Sequence, residues 1–216
     1  MFVGHYGPSL AAKAWNKTLP LWALFLAVQL VDVLWAIFVL LGVEKIRIVP
    51  GITKTNPLDL YYMPYTHSLV AAVVWSLVAG LAWLLRRTSG HWQGAGLVGA
   101  AVFSHWILDW LVHRPDLPVY DDALKLGLGL WNYPVVAFAL EAALLYGGMW
   151  LYLRVTRPAA RGGRFGMLVF GVVMLAVQGS VFFGPPPPSG QAAAWMALFS
   201  YALFAAVAHW LERKRA

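Results

Sequence analysis

Hydrophobic and polar positions alternate along this chain on the scale of whole helices. Apolar runs of about twenty residues are separated by short polar stretches that carry Gly or Pro. A helix that crosses a bilayer needs roughly 20 largely apolar residues, because the hydrocarbon core is about 30 Å thick and each residue rises about 1.5 Å. Six runs qualify: 19–43, 66–85, 92–112, 131–153, 165–184 and 191–211. Pro50-Gly51, Ser89-Gly90, Pro115 and the prolines 185–188 punctuate the gaps, the last reading as a stiff external turn. Gly94, Gly96 and Gly99 in the third run suit close helix packing. The pattern predicts an all-α integral membrane protein with six transmembrane helices. It forms one polytopic domain over 1–216: an N-terminal segment (1–18), a four-helix part (19–153) and two additional helices (165–211).

Composition agrees. Of 216 residues, 61% are hydrophobic and 12% charged, where a soluble domain carries about a quarter charged residues. Mean hydropathy is +0.66. A soluble enzyme, a disordered chain and a collagen-like fibre are excluded. The 12 Trp, 9 Tyr and 11 Phe suit many membrane–water interfaces. With 0 Cys there is no disulfide, thiolate metal site or cysteine nucleophile.

The net charge of +7 bears on orientation. With both termini inside, the inner set is Lys13, Lys17, Arg86, Arg87, Arg154, Arg157, Arg161, Arg164, Arg213, Lys214 and Arg215. The outer set is Lys45, Arg47, Lys54, Arg114 and Lys125, and 11 against 5 predicts an N-in, C-in topology. The same bias explains the Arg-rich loop 154–164, so no nucleic-acid partner is expected. The first eighteen residues do not read as a cleavable signal peptide, since the apolar run after Pro20 is too long for a signal core. Residues 8–17 read as a short helix, with Pro8 in its first turn. No internal repeat supports an inverted-repeat transporter.

An ionisable residue inside a span is costly and by default marks a functional site. Asp32, Asp109 and Glu141 fall inside spans, and His67, His105 and His209 inside spans or at their ends. Asp32 and His105 each lie 13 residues from the cytoplasmic start of their runs, roughly 20 Å deep. Asp109, four residues after His105, shares its helix face. Glu141 lies roughly 15 Å in from the outer side, and His67 opens the second run there. These five can gather in the outer half of the membrane, whereas His209 lies near the cytoplasmic end. His5 reaches the same depth only if 8–17 is a re-entrant half-helix, about 15 Å long, with Lys13 and Lys17 at the interface.

Each residue has a plainer reading. His105 and Asp109 could be a helix-packing pair, and Asp32 an interhelical hydrogen bonder. His67 could belong to an N-cap region with Thr66 or Ser68, and Glu141 could be a buried counter-ion. His113-Arg114-Pro115-Asp116 reads as an interfacial basic anchor, though Arg114, with Lys125 nearby in the outer loops, could grip an anionic headgroup. His91 and His209, each beside a Trp, read as interfacial anchors. Ser68 and Ser104 neighbour histidines without making a Ser–His couple. The chain has no G-x-S-x-G, no H-E-x-x-H and no P-loop.

Histidines and carboxylates without Cys suit zinc or another divalent ion, one or two in number. The order Gly4-His5, Asp32, Thr66-His67-Ser68 and Ser104-His105-x-x-x-Asp109 resembles the bacterial inner-membrane family of membrane-bound metal-dependent hydrolases. The resemblance covers about residues 1–150 and excludes the last two runs. Where that family often has Asp-x-Asp-His, this chain has Val31-Asp32-Val33. The resemblance implies a bacterial inner-membrane hydrolase with His5, Asp32, His67, His105 and Asp109 as metal ligands. The substrate expected in the bilayer is a phosphoester or lipid-like amphiphile. Glu141, with Asp109, is the candidate catalytic acid–base group, and Arg114 and Lys125 are the candidate headgroup binders. Two alternatives stand beside it: a metal or proton pathway, and a metal- or haem-binding assembly factor using His67 and His105.

Overall fold

The structure, a computed structural model, describes residues 1–86, 91–159 and 161–215, and of 161–164 the backbone alone. Arg87, the Ser89-Gly90 break and the side chains of Arg161 and Arg164 lie outside the described residues.

A 3₁₀ turn at Val3–His5 leads into α1 (Tyr6–Trp15), followed by α2 (Leu21–Val28) and α3 (Leu30–Leu40). Strands β1 (Lys45–Ile48) and β2 (Leu58–Tyr62) come next, then α4 (Leu69–Leu84), α5 (His91–Val112) and α6 (Pro134–Val155). The chain closes with α7 (Arg161–Phe183) and α8 (Gly190–Glu212). Helices α5, α6 and α8, together with Phe165–Phe183 of α7, are long and apolar enough to cross a membrane.

The six expected spans are therefore not equivalent. The run 19–43 breaks at Gln29 into α2 and α3, bent by 56°, and makes a fifth crossing only if the pair is taken as one. The run 66–85 gives a 16-residue helix, short of a full crossing. Its start is delayed because Ser68 caps it, the hydroxyl oxygen accepting the Ala71 N–H at 3.1 Å. Between the first two apolar runs, where the hydropathy pattern predicts only a polar connection, β1 and β2 form an antiparallel pair with Arg47 opposite Asp59 and Ile48 opposite Leu58.

Small residues set the helix spacings. A Cβ on Gly148 of α6 would stand 2.2 Å from the Gly7 carbonyl oxygen, and one on Gly7 would stand 2.4 Å from that of Leu144. Helix α1 thus lies directly on α6. Gly99 approaches the Ser76 carbonyl of α4 and Gly94 approaches Trp83, while Gly96 faces open space.

Helix α1 begins at the centre of the bundle, with His5 fully buried, and runs to the end opposite the strand pair. There Lys13 Nζ donates to the carbonyls of Lys17 (2.6 Å) and Leu19 (2.7 Å) and pairs with Glu212. Glu212 also accepts the Leu21 N–H at 2.9 Å, one of the orphan donors at the start of α2. This ties α1, α2 and α8 together. Buried apolar side chains form two clusters. One includes Tyr6, Phe25, Val28, Val102, Phe170 and Phe204; the other includes Trp35, Ala36, Leu108, Val112, Trp131 and Phe182. The polar residues Asp32 and His105 fall between the two along α3 and α5.

Candidate metal centre

Asp32, His67, His105 and Asp109 each offer one ligand atom, and these atoms all lie within 4.8 Å of one another. His67 Nε2 is 3.2 Å from Asp32 Oδ1 and 3.8 Å from Asp109 Oδ2. His105 Nε2 is 3.5 Å from Asp32 Oδ1 and 3.0 Å from Asp109 Oδ2. Four ligands about 2.1 Å from a tetrahedral ion stand about 3.4 Å apart, so these separations already match a shared ion. The buried group could hold a metal ion.

Hydrogen bonds set which ring nitrogen faces the centre. His105 Nδ1 donates to the Val28 carbonyl at 2.7 Å. That carbonyl belongs to the last turn of α2, where the break at Gln29 interrupts the helical ladder. The break therefore orients a site histidine. Thr66 donates its hydroxyl to Glu44 Oε2 (2.6 Å), so the same oxygen accepts from His67 Nδ1 at 2.8 Å. Glu44 also accepts the N–H groups of Tyr65 (2.9 Å) and Thr66 (3.0 Å). Burial pushes the Glu44 carboxyl above its ordinary range, although His67 and these donors favour its charged form. Each imidazole thus carries its proton on Nδ1 and turns the Nε2 lone pair inward, as metal-binding histidines do. His105 Nε2 is buried and makes no hydrogen bond, which fits an atom awaiting a cation.

His5 stands beside this cluster. Its Nε2 lies 3.1 Å from Asp109 Oδ1, the oxygen facing away from His105, and its ring stacks on His105 at 3.8 Å. The Met1 amine meets the same oxygen at 2.5 Å. Glu141 is fully buried and committed to bonding. Oε2 accepts the N–H groups of Phe2 and Gly4, and Oε1 accepts from Gln178, all at 3.0 Å. It holds the N-terminal turn in place.

Arg114 and Lys125 are placed away from the base of the site. Arg114 is bonded to Asp59, with Asp116 3.2 Å away, and Arg47 reaches Asp59 from the strand pair. Lys125 pairs with Asp122 and donates to the Tyr61 carbonyl. Ser104 bonds within its own helix and Ser68 caps α4, so neither pairs with its neighbouring histidine.

Two contributors escaped the sequence reading. His113 lies at the centre rather than at an interface. Its Nδ1 donates to Asp116 at 2.9 Å, its Nε2 is 3.6 Å from Asp109 Oδ2, and its ring packs on Trp131. The spacing His105-x₃-Asp109-x₃-His113 was the available signal, since all three share one helix face. Tyr201 of α8 donates to Asp32 Oδ2 at 2.7 Å. With Gln178, it shows that α7 and α8 support the centre.

A cavity of about 420 Å³ reaches the cluster, with Asp32, His67, Asp109 and His113 at its base. Comparison with protein-family models, curated proteins and solved structures finds no match for this chain.

Proposed function

We propose that this chain is a membrane-embedded, metal-dependent hydrolase acting on a phosphoester of a lipid-like amphiphile. The observation that carries the reading is the four-residue cluster, three of whose members, Asp32, His67 and Asp109, lie at the base of a largely apolar cavity. Two imidazoles and two carboxylates, pre-oriented and without sulfur, suit zinc first among divalent ions. A divalent ion there supplies Lewis acidity, which lowers the pKa of water towards 7 and polarises a substrate oxygen.

The chain's own groups supply the rest. Asp32, held by Tyr201, has the most exposed side chain of the four, with 15% of it accessible. His113 lines the cavity with its Nδ1 proton fixed on Asp116. It is the group placed to take a proton from the attacking water and return it to the leaving oxygen as the ester bond breaks. That role suits it better than Glu141, whose oxygens accept three hydrogen bonds.

The alternatives have less support. Beyond the cluster, towards the end opposite the strands, lies an apolar core of Tyr6, Leu10, Phe25, Met174 and Phe204, which is poor ground for an ion pathway. Asp32 and Asp109 stand between His67 and His105, where a haem would have to lie. The positive-inside bias and the family resemblance support a bacterial inner membrane with the C-terminus and the Lys13 end of α1 on the cytoplasmic side; the N-terminus itself is buried at the centre, where the Met1 amine meets Asp109.

Elemental analysis of purified wild type beside His105→Ala tests the reading. Near-stoichiometric zinc, or another divalent metal, in wild type and its loss in the folded variant is expected. Metal-free protein in both, with normal folding, overturns it.

A further inference from the structure

The outer-loop cations differ in their engagement. Arg47, Arg114 and Lys125 are in ion pairs, and Lys45 lies over the Tyr62 ring at 5.8 Å. Lys54 is exposed and, among the described residues, makes no ion pair or hydrogen bond. Yet it lines the cavity that ends at the candidate metal centre. Its loop is fixed on both sides. Thr53 Oγ1 donates to the Asn56 carbonyl (2.8 Å) and accepts the Asn56 N–H (2.9 Å), while Thr55 donates to the Trp131 carbonyl (3.0 Å). An ordered loop therefore offers an uncompensated cation to the cavity.

The opposite wall is made by α7 and α8. The helices meet towards the end opposite the strands. Phe170 and Phe204 have ring centroids 5.7 Å apart, and a Cβ on Gly166 would touch Leu211 at 2.7 Å. Near the strand end the cavity lies between them. Val177, Val181 and Phe182 of α7 face Ala193, Met196 and Ala197 of α8 across it. Val181 is 48% exposed and Met196 60%. The link between the helices carries prolines 185–188, and four residues of extended polyproline span about 12 Å. Such a stiff strut holds the helix ends apart. A small aqueous substrate needs no apolar slot between two bilayer-length helices; an acyl chain does.

From the free lysine and the slot we infer that the cavity takes an anionic phospholipid from the bilayer. Its phosphate sits between Lys54 and the candidate metal centre, and its acyl chains pass out between α7 and α8. This rests on the hydrolase reading for the role of the centre. The lipid-binding claim itself stands on Lys54 and the slot. Phosphate charge complements the Lys54 ammonium, and the apolar walls complement the chains.

Calorimetric titration of the full chain in detergent tests this with three probes: dihexanoyl phosphatidic acid, dihexanoyl phosphatidylcholine and inorganic phosphate. Phosphatidic acid is expected to bind at least about tenfold more tightly than either of the others. Lys54→Glu should weaken phosphatidic acid binding about tenfold or more, while Lys54→Arg retains it. Met196→Trp, which fills the slot, should weaken phosphatidic acid binding without changing that of inorganic phosphate. Failure of wild type to bind phosphatidic acid overturns the inference. So does equal affinity in a folded Lys54→Glu variant, or inorganic phosphate binding as tightly as the lipid. Metal content measured on the same samples separates the two readings. Lipid binding that depends on Lys54 in metal-free protein supports this inference and removes the hydrolase, whereas a metal-loaded protein indifferent to Lys54 does the reverse.

Discussion

At the scale of single residues, the centre depends on the atoms behind its ligands. Thr66 is the plainest case, because one hydroxyl oxygen both donates to Glu44 and accepts from His67 Nδ1. Removing it frees the ring to rotate and leaves a buried Nδ1–H without a partner. Thr66→Val, which keeps the shape, should lower metal affinity about 10–100-fold, the usual effect of losing such a supporting group. Competition with a chelator of known affinity measures this, and unchanged affinity would show that the relay orients nothing. The Thr66-His67-Ser68 triplet was visible in the sequence, but its division of labour was not. Thr66 holds the imidazole, Ser68 caps α4, and Glu44 arrives from 21 positions before Tyr65, across the β1–β2 pair. His113 was overlooked for a related reason. Its sequence neighbours Arg114 and Asp116 mark a helix end, and only the fold turns that end inward. The Leu128 and Gly129 N–H groups bond the carbonyls of Trp110 and His113 and pin the last turn of α5 against the cavity.

At the scale of elements, two local features position the centre: the break at Gln29 and the contact of α1 with α6. The break exchanges regular helix for a 56° bend and a carbonyl directed at His105. The contact holds His5 against Asp109 and depends on two glycines with no room for a side chain. Gly148→Ala should destabilise the protein by about 1–3 kcal/mol, the usual cost of overpacking. Gly147→Ala, with open space around its Cβ position, should be neutral or slightly stabilising. Thermal unfolding of the two variants in one detergent checks this. Equal melting temperatures would contradict the close approach. The apolar runs themselves were legible, because each must bury or face lipid along its length. The break was not, since residues 27–31 contain no Pro or Gly to announce it.

At the scale of the whole molecule, charge asymmetry and architecture make a joint prediction about orientation. The strand pair, the Lys54 loop and the cavity mouth share one end, while Lys13, Glu212 and the C-terminal cations share the other. Because the chain has no cysteine, single substitutions report sidedness cleanly. Leu124→Cys should react with an impermeant thiol reagent in intact cells. Arg213→Cys should react only after the membrane is opened, and the reverse pattern would invert the orientation. The sequence by itself determined membrane residence, the approximate runs of helix and the short set of buried ionisable residues. It did so because hydropathy and the cost of buried charge are properties of residues and their spacing. Tertiary structure decided which of those residues converge, what fixes each imidazole, and that α7 and α8 support the centre through Gln178 and Tyr201. Those outcomes depend on distances between segments far apart in the chain, such as 169 positions from Asp32 to Tyr201, and no local pattern encodes them.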